Sequence, residues 1–202
     1  LLAEVPEIRW WQMLNVRHLV TKRALDHPAI ALLEHDPATG QRVYALSIGA
    51  RDVWLAHSAE VVPDAGAAVT RTADAALDPF AVAVLERTPS PTPLPAVAEE
   101  TARVAGNYPW KTTVETNLSS PAILVLSEVD YPGWRVRVDG GPAESLRAYG
   151  VLRAVALPAG THVVEWSFRP VAVFAGLACA ALAVLGVLAG ATVSARRNRT
   201  HV

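Results

Sequence analysis

Hydrophobic and polar positions change their spacing twice along this chain. Up to about residue 88, helical and strand-like stretches are mixed. From 101 to 168 apolar residues recur at every second position, and beyond Pro170 polar residues all but vanish. In the first stretch, Pro6 to Leu14 reads as a short helix, with Asn15 able to take the left-handed conformation that ends one. Val16 to Thr21 alternates as a strand. Ala29 to Glu34 and Arg42 to Ser47 form a hairpin around Asp36-Pro37-Ala38-Thr39-Gly40. Asp52 to Val62 reads as another strand, Asp64 caps an alanine-rich helical run ending near Leu77, and Phe80 to Glu86 is a short strand. This strand, helix, strand unit makes residues 1–87 a small α+β module.

Thr88-Pro89-Ser90-Pro91-Thr92-Pro93-Leu94-Pro95 places proline at alternate positions, which removes backbone donors and favours an extended spacer. Residues 88–100 are therefore expected to be a linker. After it, Arg103 to Ala105, Lys111 to Asn117, Ala122 to Glu128, Trp134 to Val138, Ala143 to Arg147, Val151 to Leu157 and His162 to Phe168 are strand candidates. Turn residues separate them, and Asp139-Gly140-Gly141 and Leu157-Pro158-Ala159-Gly160 read as tight turns. The pattern predicts an antiparallel β-sandwich over 101–170. Ile123-Leu124-Val125-Leu126, apolar on both faces, suits a central strand, while Trp134, Val136 and Val138 alternate with Arg135 and Arg137 as on a strand with one wet face.

From Val171 to Val193 no charge interrupts the chain, and Arg196, Arg197 and Arg199 follow. A helix over that run reaches roughly 34 Å at ~1.5 Å per residue, enough for a hydrocarbon core of about 30 Å. Residues 171–195 are thus expected to form a transmembrane helix, with 196–202 a cytoplasmic basic tail and 1–170 on the extracytoplasmic side. Gly176 and Ala180, like Gly186 and Gly190, are spaced for close helix packing. The fold class expected is α+β: a small α+β module, an antiparallel β-sandwich and one C-terminal transmembrane helix. Because the chain opens on Leu1-Leu2 with no signal-like segment, an upstream transmembrane bundle of the same polypeptide is expected to supply targeting.

Composition narrows the chemistry. The 202 residues carry 18 Lys plus Arg against 19 Asp plus Glu, which points to no nucleic-acid partner. The only cysteine, Cys179, lies in the apolar run, so no intrachain disulfide is possible. His18, His27, His35, His57 and His162 show no paired ligand spacing, so neither a metal nor a cofactor is expected. Ser119-Ser120 lacks the setting of a hydrolase nucleophile, and Glu128 and Asp130, two apart on a strand, make a weak acid and base pair. No catalytic residue is assigned. The candidate substrate-binding residues are Tyr131 and Trp134, whose rings flank Pro132-Gly133 and could stack on a sugar. The competing reading packs Trp134 inside the sandwich. Arg135, Arg137, Arg147 and Arg153 are either a basic face or ordinary solvated side chains.

The segment Glu128-Val129-Asp130-Tyr131-Pro132-Gly133-Trp134, then Asp139-Gly140, Leu157-Pro158-Ala159-Gly160-Thr161-His162 and Phe168-Arg169-Pro170, resembles the C-terminal end of YfhO-type bacterial polytopic membrane proteins, a GT-C-like group. Leu14-Asn15-Val16-Arg17-His18-Leu19-Val20 is similar to a second element of that family, with His18 where tyrosine is usual. The resemblance implies a multi-pass parent in the bacterial cell membrane, related to glycosyltransferases that draw sugar from a polyprenyl-phosphate carrier to decorate cell-envelope polymers. Under it, this segment is an extracytoplasmic accessory region, not catalytic by itself, whose partners are the lipid bilayer, the upstream bundle, the polyprenyl-phosphate sugar and the envelope polymer. The alternative is a non-enzymatic membrane-anchored binding or assembly module for envelope polysaccharide or protein.

Overall fold

The computed structural model describes residues 8–47, 49 and 51–199, so Pro6, in the first turn of the expected helix, lies outside the described residues. Its organising feature is a pair of sheets packed face to face. One has five strands in the order β11 (Gly141–Pro142), β10 (Trp134–Val138), β14 (Gly160–Phe168), β8 (Lys111–Leu118), β7 (Thr101–Tyr108), all antiparallel. The other has six, in the order β4 (Val53–Ala56), β9 (Ala122–Val129), β13 (Leu152–Leu157), β12 (Leu146–Ala148), β6 (Val82–Leu85), β5 (Ser58–Val61).

Strand alternation builds the core between them. Val114, Val136, Val164 and Trp166 of the five-stranded sheet meet Leu124, Leu126, Val155 and Leu157 of the six-stranded one. On β9 the intervening residues, Ile123 and Val125, face the other way into a second core with Trp54, Val84, Leu85, Tyr149 and Leu152. The helices α1 (Ile8–Met13) and α2 (Ala65–Thr72) cover that face through Met13 and Ala68, both fully buried. This is why Ile123 to Leu126 is apolar throughout: its strand is covered on both sides.

The stretch 53–61 reads as one strand in the sequence but serves two edges of the sheet. Val53–Ala56 pairs with β9, and Ser58–Val61 pairs in parallel with β6. Only His57 lies between them, so the two edges of the six-stranded sheet meet there and the sheet curls round. Asp64 caps α2 by accepting from the Ala67 backbone N–H at 2.8 Å, and α2 is the crossover between the parallel strands β5 and β6. A third, small sheet, ordered β1 (His18–Thr21), β3 (Arg42–Leu46), β2 (Ile30–His35), holds the expected hairpin. Its tip is fixed by Asp36, which accepts from the Ala38 backbone N–H at 2.8 Å.

Three expectations are corrected. Among the described residues the fold is mostly β, with fourteen strands against three helices, and not α+β. The alanine-rich run forms only the eight residues of α2, and β4, β5 and β6 join β9, β12 and β13 in one sheet. The proline-rich segment therefore crosses a shared structure: the Leu94 backbone N–H donates to Pro121 O at 2.8 Å, and His57 and Ser120 hold the Leu94 carbonyl. Residues 88–100 do not separate two sheets.

The third correction concerns the C-terminal run. It is helical, α3 (Val171–Arg199), but among the described residues no helix is long and apolar enough to cross a membrane. The transmembrane helix, and the membrane assignment built on it, have no support in the structure. Within α3, Val171, Leu177, Leu182, Leu185 and Val187 are exposed.

Candidate functional site

The Tyr131-Pro132-Gly133-Trp134 turn connects β9 to β10. Gly133 has φ +112°, and a Cβ there would come within 2.9 Å of the Phe168 ring and 3.2 Å of Pro170 Cα, so only glycine fits this crossing. Trp134 turns inward: its ring packs 5.3 Å from that of Phe168, and the Arg153 guanidinium lies 3.7 Å from its centroid. Tyr131 stays on the surface, 64% exposed. The two sequence-level candidates thus separate, one into the sandwich and one onto its rim.

An aromatic pair that sequence reasoning passed over stands at the tip of the β7–β8 hairpin. Tyr108 and Trp110 are 60% and 63% exposed, and their rings stack 6.0 Å apart at 22°. The tip is anchored, because the Phe168 backbone N–H donates to Trp110 O at 2.9 Å. Since Trp134 pairs with Phe168 and Lys111 with Ser167, the Tyr131 loop and the hairpin tip project from the same end of the five-stranded sheet. The signal for the pair was a Tyr-Pro-Trp turn between two polar strands.

Along the side of the sandwich lies a cavity of about 590 Å³, lined by polar Asn15, Asp52, Asn107, Ser127 and Glu128 and by apolar Leu14, Val104 and Leu126. Asn15, at φ +53° after α1, donates through its side-chain amide to Asp52. Asn107 accepts from the Thr112 hydroxyl at 3.2 Å. Ser127 and Glu128 lie where the β9 register slips against β13, between the Leu126–Arg153 and Val129–Leu152 pairs. That slip lets Glu128 reach Arg153, whose side chain is 3% exposed, and accept from Thr112 at 3.4 Å. No spacing in the sequence brings residues 15, 52, 107 and 128 together.

Burial shapes the electrostatics. It depresses the basicity of Arg153, against the opposing pull of Glu128, and raises the Asp130 carboxyl, against Arg147 and Arg153. Glu128 pairs with Arg153, while Arg147 forms a two-point ion pair with Glu86 at 2.5 Å. The four arginines share no face, because Arg153 is buried between the sheets and Arg135 and Arg137 point to solvent.

Ser120, His57 and Glu100 come together as the residue types of an acyl-transfer triad, with Ser120 Oγ 3.5 Å from His57 Nδ1 and His57 Nε2 2.7 Å from Glu100. The geometry is structural. His57 Nδ1 is engaged by the Leu94 carbonyl at 2.7 Å, the Ser120 hydroxyl donates to the same oxygen at 3.0 Å, and Ser120 is buried. Glu100 accepts from the Ser119 and Ser120 backbone N–H groups at 2.7 and 3.1 Å, and so fastens the end of the proline-rich crossing to the β8–β9 turn. Among the described residues no group of three or more His, Cys, Asp or Glu side chains is placed to hold a metal ion.

Comparison with protein-family models, curated proteins and solved structures finds no match to this chain. The resemblance to YfhO-type proteins therefore rests on the quoted motifs alone. Fold and site together define a mostly-β protein of two packed sheets and a third, small one, with an aromatic rim at one end and a polar cavity along its side.

Proposed function

We propose that this chain is a non-catalytic glycan-binding module, free-standing or as the accessory region of a sugar-transferring enzyme. The observation that carries the reading is the stacked, solvent-facing Tyr108–Trp110 pair on an anchored hairpin tip. Sugars present flat C–H faces that pack on aromatic rings, and a preorganised ring pair meets such a face without first ordering loose side chains. Tyr131 extends the same rim. The near balance of 18 basic and 19 acidic residues matches a neutral polymer better than a polyanion.

Affinity electrophoresis of the purified chain through gels carrying neutral polysaccharides tests this reading. Retardation of the wild type is expected, with Trp110→Ala weakening it by about tenfold, the loss of one well-packed aromatic contact. Equal mobility with and without every polysaccharide would reject glycan binding.

A further inference from the structure

Resting on that glycan reading, we propose that the cavity between α1, β4, β7 and β9 is the subsite that selects the ligand, taking an uncharged, hydroxyl-rich sugar unit. At about 590 Å³ it is of the size that holds small ligands. Its lining combines the side chains that read hydroxyl groups with apolar surface for a C–H face. Asp52 and Glu128 accept hydrogen bonds, and Asn107, whose carbonyl oxygen is committed to Thr112, offers its amide N–H groups. Leu14, Val104 and Leu126 provide the apolar contact.

The site is held from behind. Arg153, 2% exposed and stacked on Trp134, fixes the Glu128 carboxylate from inside the sandwich, and fully buried Thr112 binds both Glu128 and Asn107. Arg153 Nε and Nη1 and the Trp166 Nε1, all buried, have no hydrogen-bond partner among the described residues, so this end of the core keeps unspent donor capacity. Charge narrows the ligand class. Two carboxylates, Asp52 and Glu128, line the cavity and no basic side chain does, although Arg17 stands 3.5 Å from Asp52. A phosphate or uronate would meet like charge, whereas a neutral polyol would not.

The cavity wall adjoins the rim at Gly106. Gly106 lines it, and a Cβ at Gly106 would lie 3.8 Å from the Tyr108 ring that stacks on Trp110. A polymer lying on the aromatic pair would reach the cavity with an adjoining sugar unit.

Titrating the full chain with neutral gluco-, galacto-, manno- and arabino-oligosaccharides and with oligouronates, by calorimetry and by amide NMR, decides the matter. The Asn15 and Asn107 side-chain amide signals of the wild type should shift with at least one neutral oligosaccharide. Asn107→Ala should weaken its binding about tenfold, and uronates should bind at least about tenfold more weakly. The amide shifts test the cavity without any variant that has to fold. Binding that Trp110→Ala abolishes, with the Asn15 and Asn107 amides unmoved, would overturn the subsite and leave the glycan reading standing. Tighter binding of uronates would overturn the charge selection. Absence of binding by every oligosaccharide would remove both readings together.

Discussion

The Arg153 guanidinium lies 3.7 Å from the centre of the Trp134 ring while pairing with Glu128 on β9. A strand that otherwise presents Val155 and Leu157 to the core thus carries a buried cation at one end, held by an aromatic face and one carboxylate. Breaking such a pair from one side leaves the other charge stranded. Arg153→Ala is expected to destabilise the fold by about 3–5 kcal/mol, and the double change Arg153→Met with Glu128→Gln by distinctly less. Urea unfolding followed by tryptophan fluorescence measures both; equal losses would show that packing, and not the charge, sets the cost.

Gly150 carries φ +75°, and a Cβ there would stand 2.7 Å from Ala65 O and 2.9 Å from Val69 Cγ2, against the first turns of α2. Both the backbone and the contact exclude a side chain. Gly150→Ala should therefore cost about 1–3 kcal/mol or more and lower the thermal midpoint, whereas Gly40→Ala, where nothing lies within 4 Å, bears only the backbone strain. Differential scanning calorimetry of the two variants separates the contributions.

Tyr149 buries its ring beside Trp54, at 6.1 Å, and donates its hydroxyl to Pro79 O at 2.5 Å. Trp54 Nε1 donates to the same carbonyl at 3.2 Å, so the two rings hold the loop before β6 by a shared acceptor. Burial pushes the Tyr149 phenol well above its ordinary range. Tyr149→Phe should cost about 1–2 kcal/mol, since Trp54 still satisfies the Pro79 oxygen. In an alkaline absorbance titration one tyrosine of the wild type should ionise only when the chain unfolds, and that delayed step should be missing in the variant.

Glu100 binds the Ser119 hydroxyl at 2.6 Å and the neighbouring backbone N–H groups. Burial opposes its charge, but these hydrogen bonds and His57 together hold its carboxyl below the ordinary value of 4.5. A carboxyl depressed on folding adds stability that is fully present above the unfolded value and is lost as pH falls through the folded one. Glu100→Gln should lower stability at neutral pH and flatten the decline of the urea midpoint below about pH 4.5. A decline as steep as that of the wild type would place the acid sensitivity elsewhere, with Asp139 on His162 the next group to change.

Local chemistry was legible in the sequence. The Asp36-Pro37-Ala38-Thr39-Gly40 hairpin, the Asp64 cap, the Asp139-Gly140 turn and the strands at Lys111, Ala122, Trp134, Val151 and His162 follow from residue preferences and the two-residue period and occur in the structure, whereas the strand expected over Ala143 to Arg147 is replaced by the short strands Gly141–Pro142 and Leu146–Ala148. Those signals act within a few residues and survive any tertiary arrangement. What they could not say is which strands share a sheet. The alternation of Val53 to Val61 is the same whether its two halves pair with one neighbour or, through the bend at His57, with β9 and β6. The same holds for Trp134 and Arg153: sequence left the tryptophan between a sugar-stacking rim and the sandwich interior and the arginine between a basic face and solvent, and packing stacked the buried guanidinium on the half-buried ring. The cavity, too, exists only because sheet pairing and a slipped register bring Asn15, Asp52, Asn107 and Glu128 to one place. Periodicity determines which face of a strand is apolar; the competition among strands for hydrogen-bonding neighbours, settled only in three dimensions, determines what that face meets.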